Sequence, residues 1–159
     1  MPAAANVESI VVDELATLIA NCATTLTFLG VADATAALAA IKQFEREGAG
    51  RPLILVSDTD NIEFILENAD WPKGELWVLF EKDVAAADAA DPVNARRAFT
   101  NLTGAIMNEA LVLANGGGYL AVTNFRRASK PARSHPKEKT SGEGDYFQVT
   151  YRVQFGLES

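Results

Sequence analysis

Residues 146–155 of this chain read YFQVTYRVQF, and this stretch decides the fold. Its apolar side chains occupy every second position, and its polar side chains occupy the positions between them. Alternation with a period of two is typical of a β-strand that buries one face and presents the other to solvent or to a partner. The stretch therefore predicts a strand of an antiparallel sheet whose polar face is formed by Gln148, Thr150, Arg152 and Gln154.

A second strand is predicted at residues 119–125, so the two strands form a long hairpin. The connection between them is much longer than an ordinary hairpin loop of about 2 to 5 residues. Its first part, residues 126–139, contains six cations, which only Glu138 opposes: Arg126, Arg127, Lys130, Arg133, Lys137 and Lys139. We call residues 126–145 the basic arm. A flexible connection of this composition, rich in Lys, Pro, Ser and Gly, is either disordered or ordered by a partner, and we expect a partner.

The charge of the chain is divided unevenly. Residues 126–139 carry +5 and the remaining residues carry −12, which gives the net charge of −7. An acidic surface argues against broad adhesion to nucleic acid or to anionic membranes. The arm contains no aromatic residue that could stack on bases, so its cations suit phosphate or carboxylate groups. We expect the arm to dock onto an acidic neighbour, such as another copy of the chain, ahead of nucleic acid; a solvated arm without a partner is the third alternative.

The rest of the pattern predicts three helices and two more strands. Apolar residues recur at intervals of three and four in each expected helix: residues 7–22, residues 34–44 with Asp33 as N-cap, and a long helix that begins at Pro92. Two short runs are apolar at every position, residues 53–56 and 76–80, which favours strands covered on both faces and places Trp77 in the core. Three connections are also expected: a short strand or extended segment at residues 24–29, a turn or two of helix at 62–66, and a loop at 85–91.

The predicted fold class is therefore α+β. It has a mixed, mainly antiparallel sheet of about four strands, about three helices packed on that sheet, and a long C-terminal β-hairpin. A chain of 159 residues fits a single domain, residues 1–159. Cys22 is the only cysteine, so it cannot form an intrachain disulfide and is interpreted as a small buried apolar residue. The N-terminal residues show no signal-type apolar run, so a cytosolic, unanchored protein is expected.

The sequence shows no arrangement of catalytic residues, and no cofactor is expected. The single histidine, His135, lies in the basic arm beside a proline, where nothing would orient its imidazole. Asp58 and Asp60 follow a buried strand and could hold a divalent cation with the help of Glu63, Glu81 and Asp83, but either Asp58 or Asp60 could equally cap a short helix. A small metal- or ligand-binding enzyme domain is therefore the alternative, and no metal site is assigned.

The order of elements resembles that of the tail terminator or neck-completion proteins of tailed bacteriophages. Five features carry this resemblance: the N-terminal helix, residues 28–30 leading into the helix at 34–44, the strand at 52–55, the helix from Pro92, and the final hairpin ending at 146–151. The resemblance implies a non-enzymatic virion protein, typically a hexameric ring, that assembles in the host cytoplasm, caps the tail tube and joins it to the head connector. The basic arm is longer than this resemblance would suggest. We expect the arm and the polar strand face to make contacts between subunits or with the tube.

Overall fold

The helices and strands are described for most of the chain. The computed structural model describes residues 7–46, 48, 50–58, 63–65, 71–115, 120–127, 132–134 and 146–157. Within these residues the helices are α1 Val7–Ala20, α2 Ala23–Leu29, α3 Ala34–Ala40, α4 Ala86–Ala90 and α5 Pro92–Asn115. The strands are β1 Lys42–Gln43, β2 Leu53–Asp58, β3 Glu63–Ile65, β4 Trp71–Asp83, β5 Leu120–Arg127, β6 Ala132–Ser134 and β7 Tyr146–Leu157.

All of these strands belong to one mixed sheet in the order β1-β2-β4-β7-β5. Strand β1 runs parallel to β2, and the other pairings are antiparallel. Two short strands extend the sheet: β3 lies beside the beginning of β4, and β6 lies beside the beginning of β7. The α+β class and the mainly antiparallel sheet are confirmed. The four longer strands, β2, β4, β5 and β7, match the predicted number, and β1, β3 and β6 are additional short ones.

One face of the sheet forms the hydrophobic core with the helices. The predicted alternation of β7 is confirmed, because Phe147, Val149, Tyr151 and Val153 are all buried. Helices α1, α2 and α5 supply the other half of this core. The ring of Phe80 at its centre is edge-on to Tyr151, with 5.7 Å between centroids. Strand β7 therefore lies where its alternating sequence requires, between two strands and beneath the helices.

Helix α3 begins as predicted and ends early. The carboxylate of Asp33 accepts a hydrogen bond of 2.8 Å from the backbone N–H of Ala36, so the predicted N-cap is confirmed. The helix ends at Ala40, and the next residues form β1 because their backbone pairs with β2, with Lys42 opposite Leu55. Phe44 follows in the left-handed region with φ of 66°.

Three predicted connections were wrong. Residues 24–29 form helix α2, since burial of Thr25 and Phe28, three residues apart, outweighs the β-propensity of the segment; Gly30 ends the helix with φ of 68°. The described part of residues 62–66 is strand β3, because its backbone pairs with β4. The predicted loop at 85–91 contains α4, whose first turn is closed by a 2.9 Å hydrogen bond from the Ala85 N–H to the Asp88 carboxylate.

Candidate interaction surface

The second face of the sheet is open. Along β4, residues 76, 78 and 80 are buried in the core, whereas Trp77 is 42% exposed and Leu79 is only half-buried. Leu55 on β2 is half-buried in the same way, and neither leucine belongs to the core cluster. The expectation that residues 76–80 are covered on both faces, with Trp77 in the core, was therefore wrong. For residues 53–56 it fails only at Leu55, since Leu53, Ile54 and Val56 are buried. Among the described residues, helices cover one face only, and we call the other the open face.

A shallow groove of about 340 Å³ runs across the middle of the open face. It is lined by Leu55, Ser57, Trp77, Leu79, Gln148 and Thr150. The leucines and the indole give the groove an apolar floor, and the amide and hydroxyl groups provide hydrogen-bonding positions beside it. Apolar area with a few polar groups at its edge is the usual composition of a protein interface core.

A buried carboxylate adjoins the groove at Gln148, one of its lining residues. Glu81 is only 1% exposed, and Gln148, its neighbour across the β4–β7 pairing, donates a 2.7 Å hydrogen bond to it. The guanidinium of Arg51 donates to the other carboxylate oxygen at 3.3 Å, and Arg46 forms an ion pair with Glu81. The buried charge is thus matched by two cations and an amide, which offset the cost of its desolvation. We call Glu81, Gln148, Arg46 and Arg51 the Glu81 cluster.

The Glu81 cluster also holds the segment before β2 against the sheet. The guanidinium carbon of Arg51 lies 3.7 Å from the centre of the Tyr146 ring, a close cation–π contact. A second ion pair joins Arg51 to Asp83 at 3.5 Å, and the side chain of Asp83 is 63% exposed. Residues that are far apart in sequence therefore meet at the start of β7.

Beside the groove, Arg152 lies between an acid and the ring of Trp77, which lines the groove. Its guanidinium is 3.8 Å from the carboxylate of Glu75 and 5.3 Å from the centre of the Trp77 ring. The side chain of Arg152 is one-third exposed. Charges of both signs therefore lie beside the groove and its apolar floor.

The structure brings part of the predicted polar row together. Gln148, Thr150 and Arg152 lie in the required alternation on the open face. Gln154 lies on β7 opposite Glu75 by backbone register. Of the basic arm, Arg126 and Arg127 end β5, and Arg133 is in the middle of β6. Three predicted interaction residues lie outside the described residues: Lys130, Lys137 and Lys139.

Neither the arginine partners of Glu81 nor the apolar floor of the groove was predicted from the sequence. Glu81 was considered as a cation ligand, but its carboxylate is occupied by Arg46, Arg51 and Gln148. The signal for this cluster was weak: an acid adjoining a buried apolar strand requires compensating donors. Nothing in the sequence indicates which donors they are.

The alternative metal site is not assembled in the described residues. Asp58 is paired with Leu76 and Glu81 is paired with Leu53, at opposite ends of the β2–β4 ladder. Five residues of β4 separate these positions, a distance of about 17 Å along the strand. Asp60 lies outside the described residues, and no group of three or more His, Cys, Asp or Glu residues within the described part could hold a metal ion.

Cys22 is buried between helices, which agrees with its interpretation as a small buried apolar residue. Its Sγ lies 3.3 Å from the carbonyl oxygen of Leu18 and 3.7 Å from that of Ile106. Burial, followed by the nearby carboxylate of Glu109, raises the pKa of the thiol to about 12. Because the thiolate is the reactive form, this environment makes Cys22 inert. His135 lies outside the described residues.

Comparison with known proteins gives no match from which the role of the open face could be inferred. The chain matches no protein-family model, and no curated protein matches it. No single helix in the described part of the chain is long and apolar enough to cross a membrane, although residues 11–20 of α1 together with α2, a pair bent by 85°, have the length and composition to do so.

Proposed function

We propose that this chain is a non-enzymatic structural protein that assembles with copies of itself through the open face. The observation that carries the proposal is the apolar groove on a sheet face that the described helices leave uncovered, with Trp77 exposed at its edge. A half-exposed Trp beside an Arg is the kind of residue pair that dominates the binding energy of protein interfaces. Covering the groove would remove the side chains of Trp77 and Arg152 from water.

The charges around the groove favour a protein surface, such as that of another copy, over a nucleic acid as the partner. Glu75 pairs with Arg152, and Glu81 pairs with Arg46 and Arg51. A nucleic acid would require an excess of cations directed at its phosphates. A rim of both signs suits another protein surface of both signs.

The biological setting that we propose follows from the order of elements. The chain would be a virion protein that forms a ring, a hexamer in the proteins it resembles, at the junction of phage head and tail. Its further partners would be the tail tube and the head connector, and assembly would take place in the host bacterial cytoplasm. Heterologous contacts that close on themselves are the usual way in which one small chain builds such a ring.

Self-association and its dependence on Trp77 test the proposal. We expect light scattering at tens of micromolar to give one uniform mass above that of the monomer, and negative-stain images to show rings. Trp77→Ala should weaken the association by about tenfold or more, because it removes the large apolar contact. The matched control is Leu113→Ala, which truncates a side chain of similar exposure, 40%, on α5.

Two outcomes would contradict the proposal. A wild-type protein that stays monomeric, with or without added tail tube, would remove assembly as its function. An equal loss of association in the Trp77 and Leu113 variants would show that the open face is not the contact surface. Calorimetric titration with divalent cations tests the alternative: binding that Asp58→Ala abolishes would favour a metal-dependent domain.

A further inference from the structure

The amide of Gln148 is a polar group of the groove that a buried residue outside the groove holds in place. Gln148 lines the groove, and its side chain is half-buried. Its Nε2 atom donates a 2.7 Å hydrogen bond to the carboxylate of Glu81, its neighbour across the β4–β7 pairing. Glu81 is only 1% exposed and does not itself line the groove. Any influence of Glu81 on a partner in the groove therefore passes through Gln148.

The hydrogen bond selects one of the two orientations that the Gln148 amide could adopt. A carboxylate offers acceptors only, so the NH₂ end of a glutamine side chain is the end that bonds to it. The other partners of Glu81, Arg46 and Arg51, are donors as well. With its NH₂ end held by Glu81, the planar amide directs its carbonyl oxygen away from the buried carboxylate.

This carbonyl oxygen, Oε1 of Gln148, is available to a partner. It accepts no hydrogen bond from the described residues, and it is not among the buried polar atoms that lack a partner, so it is in contact with solvent. A protein that covers the groove displaces this solvent, and an acceptor then left without a donor weakens binding. The groove therefore favours a partner that presents an N–H donor beside an apolar side chain.

We infer that Glu81 is a positioning residue for the contact between copies, because it orients the Gln148 amide so that Oε1 accepts a hydrogen bond from an N–H group of the neighbouring copy. This role rests on the proposed self-assembly through the open face, and it specifies the chemical group that the neighbour presents. A surface that placed a carboxylate at this position would meet Oε1 with a second acceptor, with Glu81 behind it. The contact thus discriminates against such surfaces.

A double-mutant cycle between Glu81 and Gln148 tests this role. Gln148→Met removes both ends of the amide and keeps a side chain of similar length, so association should weaken by about tenfold. Glu81→Gln should weaken it by a similar factor. Arg51 keeps the oxygen of the new amide, whose NH₂ group then faces Gln148 and turns the Gln148 carbonyl away from the groove. The double variant should associate about as well as Gln148→Met alone. Sedimentation velocity measures all four proteins.

NMR of the side-chain amides measures the orientation itself. In the wild type, the Gln148 NH₂ group should give a slowly exchanging proton, because it is bonded to a buried carboxylate. The signal is assigned by its absence from Gln148→Met. In Glu81→Gln, the same group should exchange rapidly, since it then faces the solvated groove. If Glu81 acted only on the stability of the fold, the exchange of this group in the folded protein would not change.

Asp83→Asn is the matched control for Glu81→Gln. It neutralises a carboxylate of the same strand that also pairs with Arg51, but the Gln148 amide is bonded to Glu81 and not to Asp83. This control should associate like the wild type. Circular dichroism checks that every variant is folded. If Glu81→Gln does not fold, Gln148→Asn replaces it: the shorter side chain cannot bring its amide to Glu81, so association should again weaken by about tenfold.

The results distinguish a failure of this role from a failure of the proposed function. Losses that add in the double variant, or a Gln148→Met protein that associates as tightly as the wild type, overturn the role of Glu81. If Trp77→Ala still disrupts assembly in that case, the open-face proposal survives without it. A wild type that stays monomeric contradicts self-assembly itself, and with it the donor from a neighbouring copy, even if the Gln148 amide exchanges slowly.

Discussion

The two faces of one sheet have opposite characters although they share the same strands. On β4, Leu76, Val78 and Phe80 are fully buried under the helices, while Trp77 and Leu79 between them remain half-exposed. Successive side chains of a strand point to opposite faces, so a single strand serves both surfaces. The covered face holds the molecule together, and the open face is free to serve another purpose. Substitutions at adjacent positions should separate stability from assembly.

The largest expected difference is between Phe80 and Trp77. Phe80→Ala should lower the free energy of unfolding by about 3–5 kcal/mol, because it leaves a cavity among packed rings. Trp77→Ala, three residues away, should lower it by less than about 1 kcal/mol, because the indole is already in contact with water. Urea denaturation of the two variants at low protein concentration measures both values. Equal losses would mean that the two faces do not differ as described.

The next largest loss of stability is expected in the Glu81 cluster. This cluster also shows that the open face contains a buried carboxylate. Glu81→Gln should destabilise the protein by about 2 kcal/mol, since two arginines lose the carboxylate that pairs with them. The control is Asp83→Asn, which neutralises an exposed carboxylate on the same strand and should cost less than about 0.5 kcal/mol. A loss in the control as large as that in Glu81→Gln would assign the effect to net charge rather than to burial.

A smaller effect is expected from the polar contact inside the covered face. The hydroxyl groups of Tyr151 and Thr103 lie 2.9 Å apart in the core. Tyr151→Phe should cost about 1 kcal/mol, because the aromatic packing is kept and one buried hydrogen bond is lost. Tyr146→Phe, at the edge of the open face, should be close to neutral. Thermal unfolding of the two variants tests this order.

Cys22 should give the smallest effect, visible only at high pH. The folded thiol has its pKa raised from an ordinary 9.0 to about 12, so above pH 9 the unfolded state loses this proton first and stability falls as the pH rises. Relative to Cys22→Ala, the wild type should lose about 1 kcal/mol between pH 9 and 10. Parallel pH profiles for the two proteins would contradict this. Thiol labelling at pH 8 should require denaturant.

Much of the fold could be predicted because its signals are local. The alternation in β7, the three-and-four spacing in α1 and α5, and the Asp33 cap each depend on neighbours along the chain. Helix α2 could not be predicted, because the contact of Phe28 with Phe80, 5.6 Å between ring centres, decides its conformation from a distant strand. The same applies to β3, which exists only because β4 pairs with it.

Only part of the candidate surface could be predicted, again because only local patterns are visible in the sequence. The polar row of β7 follows from its period, so Gln148, Thr150 and Arg152 could be placed on one face. The apolar floor was hidden, because a run such as residues 53–56 looks the same whether one face or both are covered. The partners of Glu81 come from a segment about thirty residues earlier in the chain, since Arg51 reaches it across the sheet. Such pairings are tertiary and leave no local pattern.

Strand β7 is the last described strand to be synthesised, yet it lies between β4 and β5 in the finished sheet. A growing chain on the ribosome therefore holds β2 and β4 on one side and β5 on the other with no strand to bridge them. Until β7 emerges, Trp77 and Leu79 lack the row formed by Gln148, Thr150 and Arg152 beside them, and the groove is incomplete. In the proposed assembly, this topology would delay competence for subunit contact until translation has passed β7, and nascent chains on one messenger would not join prematurely.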